Sequence, residues 1–228
     1  MKIATWNLER LKHKKNLVLI VEEINKTNAD ILVLTEYDEQ VVLDYPYQLA
    51  TEFLAEEIFK EESKVVYKPT ERRVKLFSRY EIVQQFETYN KHTSFCVELK
   101  TPKGNLTVYG TIIGIFGNSH KNFNEDLALQ IEDYKRLGKD NNFCVAGDFN
   151  ISFSDGHYFT KQGRDSLNKV FRELNMQIPT ASIQKNIDHI AISNQFLQNI
   201  IPTRGYWNED AKDAIPPLSD HMGVWVQF

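Results

Sequence analysis

Several polar residues of this chain stand where apolar runs end, and their types are those of a hydrolytic site. Asn7 and Glu9 follow Ile3 to Trp6, Glu36 follows Ile31 to Leu34, and Asp148 and Asn150 follow Phe143 to Ala146. Asp188 and His189 sit inside the apolar run Asn186 to Ile192, and Ser219, Asp220 and His221 come just before Gly223 to Phe228. A sheet fixes where each strand stops, so groups mounted there are held rigidly.

Acids, amides and imidazoles in that combination suit hydrolysis of a phosphate ester. The reaction needs an activated water, charge stabilisation on the phosphoryl oxygens and help for the leaving oxygen. A hard cation such as Mg2+ or Mn2+ takes one or two carboxylates, with waters and substrate phosphate filling the rest, so Glu36, Glu9 and Asp220 suffice as ligands. Taken singly, each residue has a plainer role. Asn7 or Asn150 can form a turn, Glu36 or Asp148 can cap a helix or face solvent, and His189, flanked by Ile187 and Ile190, reads as a packed or surface histidine. Five such strand ends in one chain favour a shared site.

The elements that must position these groups begin with a strand over Lys2 to Trp6, a helix over Asn16 to Lys26 with Leu17, Ile20, Val21 and Ile24 on one face, and a strand at Ile31 to Leu34. These two strands are expected side by side. The middle is strand-rich, with runs at Lys64 to Tyr67, Arg73 to Phe77, Glu81 to Glu87, Ser94 to Leu99 and Asn105 to Ile113. A helix is expected after Asn124 as N-cap, with a stripe at Leu127, Ile131, Tyr134 and Leu137 and a stop at Gly138. The strand Phe143 to Ala146, a helix from about Asp165 to Asn175, and strands Ile187 to Ile192 and Gly223 to Phe228 complete the chain. Without a regular strand-helix-strand rhythm, two packed sheets with outer helices fit better than a doubly wound parallel sheet.

The 228 residues fit one domain over 1–228, and the net charge of -4 lacks the basic balance that advertises a nucleic-acid partner. Cys96 and Cys144 lie in apolar runs with no partner at zinc-like spacing, as buried free thiols do. No apolar run approaches the roughly 20 residues of a membrane helix, and the N-terminus is too short and polar for a signal peptide. A soluble, cytoplasmic protein without a membrane partner is expected.

Thr5-Trp6-Asn7-Leu8-Glu9, Leu32-Val33-Leu34-Thr35-Glu36, Gly147-Asp148-Phe149-Asn150, Ile187-Asp188-His189-Ile190 and Ser219-Asp220-His221 together resemble the endonuclease/exonuclease/phosphatase superfamily. The motifs occur in the family's order from Asn7 to His221. The resemblance implies a four-layer α/β sandwich, two mixed sheets face to face with helices outside, and a site at one edge. It implies Glu36 as the principal Mg2+ ligand, with Asn7 helping to hold the site and Glu9 and Asp220 near the metal. It further implies Asp148 as the residue that orients or deprotonates the attacking water, Asn150 as the amide beside it, and His221 as a donor to phosphate, oriented and kept protonated by Asp188.

One feature departs from the pattern. Where the family places a His or Tyr against the phosphate, this chain reads Thr111-Ile112-Ile113, and Ile112 cannot donate a hydrogen bond. Thr111, Tyr109 or His120 are the nearby substitutes, and managing with one donor fewer costs on the order of 100-fold in rate. The segment Arg72 to Arg79 resembles a family strand without the glycine often found at its start; Arg73 reads first as part of a solvated strand face, with a reach to phosphate as the alternative.

The substrate lies beyond these motifs, because specificity resides in the surrounding loops. A nuclease-like phosphodiesterase acting on DNA or RNA is the first expectation, with Lys12, His13, Lys14, Lys15, Lys161 and Arg164 as a candidate basic face. A phosphatase or phosphodiesterase for a small soluble ester, such as a nucleotide or inositol phosphate, is the second. A binding module that kept the fold and lost activity is the third.

Overall fold

Both faces of the first strand are buried, and the layers of the protein follow from that. In the computed structural model, which describes residues 1–59, 63–114, 121–158, 160–209 and 215–228, strand β1 (Lys2–Asn7) turns Ile3 to one side and Ala4 and Trp6 to the other. Helix α1 (Leu17–Thr27) covers the second side with Ile20 and Ile24. Strand β2 (Ile31–Asp38) pairs parallel with β1 and repeats the division, Ile31 and Val33 inward, Leu32 and Leu34 toward α1. Burial on both faces is why these strands read as unbroken apolar runs rather than alternating ones.

The strand-rich middle divides among three sheets. Strand β3 (Tyr47–Ala50) pairs with β6 (Glu71–Ser78) at the edge of the first sheet, while β4 (Glu56–Phe59) and β5 (Ser63–Val66) form a separate hairpin. The chain then crosses to the second sheet through β7 (Glu81–Phe86), β8 (Ser94–Thr101) and β9 (Gly104–Ile112). Helix α2 (Lys121–Gly138) returns it to β10 (Phe143–Asp148), parallel to β9.

Helix α3 (Lys161–Glu173), the short β11 (Met176–Gln177) and β12 (Asp188–Ser193) complete the second sheet, in the order β11-β12-β10-β9-β8-β7. Strands β13 (Thr203–Trp207) and β14 (Gly223–Gln227) return to the first sheet, whose order is β13-β14-β1-β2-β6-β3. Each six-stranded sheet mixes one parallel pair with antiparallel ones.

Three apolar clusters hold the layers together. Ile3, Val33, Val74, Leu76, Val97, Val108, Ala146, Ile190 and Val224 fill the space between the sheets. Phe123, Leu127, Tyr134, Leu167, Val170 and Phe171 from α2 and α3 pack on Tyr109, Val145 and Ala191 outside the second sheet. With α1 outside the first, the result is the four-layer α/β sandwich expected from the motifs. Each fully buried Val, Leu or Ile contributes about 1.5–3 kcal/mol relative to exposure. Cys96 and Cys144 are free and buried.

The helix starts differ from expectation. Helix α2 already includes Lys121 to Phe123, so Asn124 lies inside it: Phe123 packs into the outer cluster, and Asp126 accepts from the Gly114 N–H at 2.5 Å. Helix α3 begins at Lys161, capped by Thr160, whose hydroxyl accepts from the Gly163 N–H at 3.2 Å. Strands β3, β4 and β13 carry little apolar patterning, being edge or hairpin strands with exposed faces. No helix among the described residues is long and apolar enough to cross a membrane.

Candidate active site

The carboxyl ends of β1, β2 and β10 and the starts of β12 and β14 meet at one edge of the sandwich. Asn7, buried at the end of β1, reaches across the gap between the sheets: its Nδ2 donates to Asp148 Oδ2 at 3.0 Å. Its Oδ1 accepts from the Glu9 N–H at 2.8 Å, and the Ser219 hydroxyl donates to its carbonyl at 2.6 Å. Thus one asparagine ties β1, β10 and the segment entering β14.

In the register of the second sheet, Asp148 of β10 faces Asp188 of β12 on one side and Ile112 of β9 on the other. Two carboxylates directly opposite each other repel, and His221 reconciles them. Its Nδ1 lies 2.6 Å from Asp188 Oδ2, and Asp148, Asp188 and His221 present ligand atoms all within 4.8 Å of one another. The backbone carbonyl of His221 accepts from Trp6 Nε1 at 3.0 Å and Asn208 Nδ2 at 2.6 Å, and its N–H donates to Ser219 Oγ at 3.1 Å. Asn208 lies in a polar stretch that offers no motif by which sequence reading would single it out.

Asn150 curls back on the same loop. Its N–H donates to Asp148 Oδ1 at 2.8 Å, and its Nδ2 donates to the Ile113 carbonyl at 2.9 Å. Backbone in the left-handed region concentrates here: Glu9 (φ 48°), Arg10 (φ 54°) and Leu11 (φ 50°) in succession, Glu36 (φ 46°) and Asn150 (φ 51°). Such conformations cost of order 1–3 kcal/mol each and persist where the surrounding structure over-determines them.

Burial shapes the electrostatics. Burial and then the charge of Asp188 push Asp148 up to about 7, against the pull of His221 and the hydrogen bonds from Asn150 and Asn7. Asp188 is likewise raised by burial, opposed by His221. Burial works against the His221 imidazolium, but the charge and hydrogen bond of Asp188, with Asp148 and Asp220 behind them, prevail and raise it to about 10. Glu36 is raised by burial despite Arg73 and His221.

The remaining metal-ligand candidates surround this group. Among the described residues, no hydrogen bond or ion pair engages the carboxylate of Glu36, and the buried Asp188 Oδ1 and Asp220 Oδ1 accept no hydrogen bond. Glu9 is engaged by Lys12 at 2.6 Å and by His13 at 3.2 Å.

Four expected phosphate contacts fare differently. Tyr109 points away from the site, its hydroxyl donating to Asp133 Oδ2 at 3.1 Å and lying 3.0 Å from Ser94 Oγ beneath α2, because alternation on β9 sends it to the outer face. Thr111 is buried too, donating to Gln130 Oε1 at 2.6 Å. His120 lies outside the described residues. Arg73 is not on a solvated face: it is 1% exposed and paired with Glu57. Ile112 packs between the sheets.

His189 is a structural residue. Its Nε2–H donates to the Ile151 carbonyl at 2.9 Å, Nδ1 lies 3.1 Å from Thr180 Oγ1, and burial lowers its pKa to about 3. Arg164 is also structural, donating to the carbonyls of Ser152 and Asp155. Of the candidate basic face, Lys14 and Lys15 are exposed on a short 3-10 turn.

The sequence profile of the Endonuclease/Exonuclease/phosphatase family matches residues 4–221. No curated protein matches the chain by sequence. Among solved structures, the fold is similar to an AP endonuclease from Archaeoglobus fulgidus (TM-score 0.68, 14% identity, covering 100% of this chain and 99% of that one). It is similar as well to the endonuclease domain of TRAS1, a telomere-specific non-LTR retrotransposon (0.66, 15%, 99% and 96%), and to an endonuclease/exonuclease/phosphatase from Beutenbergia cavernae DSM 12333 (0.65, 14%, 99% and 70%). At those identities the structures speak for the fold, and the profile, spanning nearly every residue from β1 to His221, places the chain in the endonuclease/exonuclease/phosphatase family.

Proposed function

We propose that this protein is a divalent-metal-dependent hydrolase of phosphate esters, acting on DNA or RNA as a nuclease-like phosphodiesterase. The observation that carries this reading is the cluster of Asp148, Asp188 and His221, tied through Asn7 to the sheet that bears Glu36. A hard cation fits the donor set: among the described residues no hydrogen bond or ion pair engages the Glu36 carboxylate, and the buried Asp188 Oδ1 and Asp220 Oδ1 accept no hydrogen bond. Glu36 would hold the ion, with Asn7, Glu9 and Asp220 around it or its waters; when bound, Mg2+ or Mn2+ would neutralise charge on the phosphoryl oxygens.

The protein's own groups divide the remaining work. Asp148, held by Asn7 and by the Asn150 N–H, takes a proton from the water that attacks phosphorus as the ester P–O bond breaks opposite it. His221, with Nδ1 held by Asp188, offers its Nε2–H to a phosphate oxygen. Asn150 keeps the loop beside Asp148 in place. A protonated imidazole is a donor and not a ligand, which favours an oxygen-only ion site over one using His221.

An AP endonuclease and the endonuclease domain of a retrotransposon are among the proteins of similar fold, in line with a nucleic-acid substrate. A small soluble phosphate ester is the second reading. It is favoured by the acidic balance and by the engagement of Lys12, His13 and Arg164 within the protein. Turnover of nucleic acids, nucleotides, inositol phosphates and simple diesters, each at two salt concentrations with Mg2+ or Mn2+, separates them. A nucleic-acid substrate gives a steep fall with salt and a small ester does not; no metal-dependent turnover of any of them rejects hydrolysis and leaves a binding module.

A further inference from the structure

Arg73 occupies a position that the catalytic cluster does not account for. On β6, Val74 pairs with Thr35 and Arg72 with Tyr37, so Arg73 stands opposite Glu36. Its Nη1 meets Glu57 in an ion pair and approaches the Tyr67 hydroxyl at 3.1 Å; Nη2 lies 3.5 Å from the Gly114 carbonyl; the buried Nε has no hydrogen-bond partner among the described residues. The guanidinium therefore crosses from the first sheet to the end of β9 in the second. That is two residues past Ile112, whose side chain offers no donor.

The two halves of the ion pair are not equally fixed. Arg73 is buried among protein groups, and the ring of Tyr67 has the guanidinium carbons of Arg73 and Arg10 at 5.6 and 4.6 Å from its centre. Arg10 is itself anchored on Glu71 at 2.8 Å. Glu57 comes from the hairpin β4–β5, outside both six-stranded sheets, and its side chain is 23% exposed. A carboxylate at such an edge regains water readily, whereas the arginine cannot leave.

We propose that Arg73 is a cationic ligand for the substrate's phosphate, and that Glu57 is the internal anion it releases when the phosphate arrives. This rests on the reading of the site as a phosphate-ester hydrolase. The planar guanidinium fork suits carboxylate and phosphate oxygens alike, so one can replace the other without moving Arg73. The buried charge is then never left unpaired, with or without substrate, and Arg73 provides from β6 the donor that β9 lacks.

Inorganic phosphate is the probe, titrated calorimetrically into the whole protein in Mg2+, for wild type, Glu57→Gln, Glu57→Asp and Arg73→Lys, alongside their turnover of a simple diester. Glu57→Gln is expected to bind phosphate about tenfold more tightly and Arg73→Lys about tenfold more weakly. Glu57→Asp, which keeps the charge on a shorter arm, falls between Glu57→Gln and wild type. Should Glu57→Gln fold only with phosphate present, that rescue supports the exchange. Folded Glu57 variants that bind phosphate no better than wild type overturn it, leaving Glu57–Arg73 as a tether for the hairpin. If wild type turns over diesters in that case, only the exchange fails; if wild type neither binds phosphate nor turns over any ester, the functional reading fails with it.

Discussion

His221 Nδ1 and Asp188 Oδ2 lie 2.6 Å apart, joining the loop before β14 to the first residue of β12. The contact fixes which face of the imidazole is left for substrate and supplies the charge that keeps the ring protonated in a buried place. Without Asp188, burial would be opposed only by the charges of Asp148 and Asp220, and the His221 pKa would fall.

Replacement of Asp188 by Asn is therefore expected to lower the His221 pKa from about 10 and to cut turnover on the order of 10³- to 10⁴-fold, as when the carboxylate orienting a catalytic imidazole is neutralised. NMR titration of the imidazole reads the first effect and kinetics the second. An imidazole that titrates in the variant as it does in wild type would contradict the assigned role. In wild type, turnover should rise as Asp148 loses its proton near pH 7, earlier once a cation is bound, and fall where His221 deprotonates.

His189 makes a prediction about stability rather than rate. Its folded pKa of about 3 lies below the ordinary histidine value of 6.5, so its contribution is present above about pH 6.5 and is lost as pH falls toward 3, at up to about 1.4 kcal/mol per pH unit. Asp148 acts oppositely: raised from 3.8 to about 7, its ionised form is penalised at high pH and the penalty is relieved as pH falls. The two partly cancel between pH 4 and 7. His189→Gln removes the His189 loss and leaves the other groups as they are, so stability relative to wild type should improve steadily on acidification; denaturant melts at pH 4, 5, 6 and 7 measure it, and parallel curves would refute it.

Glu36 tests the cation. Its carboxylate is raised by burial and has no described partner, so ionised Glu36 destabilises the protein until an ion arrives. Wild type should gain about 2.7 kcal/mol at a metal concentration 100 times Kd. Glu36→Gln should match or exceed wild type in chelator and gain little from Mg2+. An equal Mg2+-induced rise in Tm for both proteins would remove Glu36 from the metal site.

The legible and illegible parts of this molecule differ by physical cause. Strands β1, β2, β9, β10 and β12 were readable because burial on both faces writes itself as an apolar run, and the polar residues ending those runs marked the site. Strands β3, β4 and β13 were not, since an edge or hairpin strand with an exposed face needs little apolar patterning. The start of α2 misled because Asn124 has the right chemistry for a cap, yet packing of Phe123 decides the boundary. Arg73 reads in the sequence as a residue of a solvated strand face or a phosphate contact, and its burial is not legible, because its partner Glu57 comes from a hairpin that no local pattern connects to β6. Tyr109 and Thr111 were close to the site in sequence only; their hydrogen bonds to Asp133 and Gln130 depend on where α2 docks.

Gly147 precedes Asp148 with φ 143°, and a Cβ there would stand 1.8 Å from the Thr111 carbonyl oxygen on the neighbouring strand. Gly147→Ala thus has to push β9 and β10 apart one residue from Asp148, disturbing the registration of Asp148 with Ile112 and Asp188. Gly104, at φ 102° in the turn between β8 and β9, has nothing within 4 Å of the corresponding position. Alanine at Gly104 meets backbone strain alone, about 1–2 kcal/mol, and should leave turnover unchanged. Alanine at Gly147 adds overpacking and is expected to cost about 3 kcal/mol or more, with turnover lost in whatever fraction still folds. Urea melts and kinetics of both variants read this; equal losses of stability, or a fully active Gly147→Ala, would show that the close approach of β9 does not position Asp148.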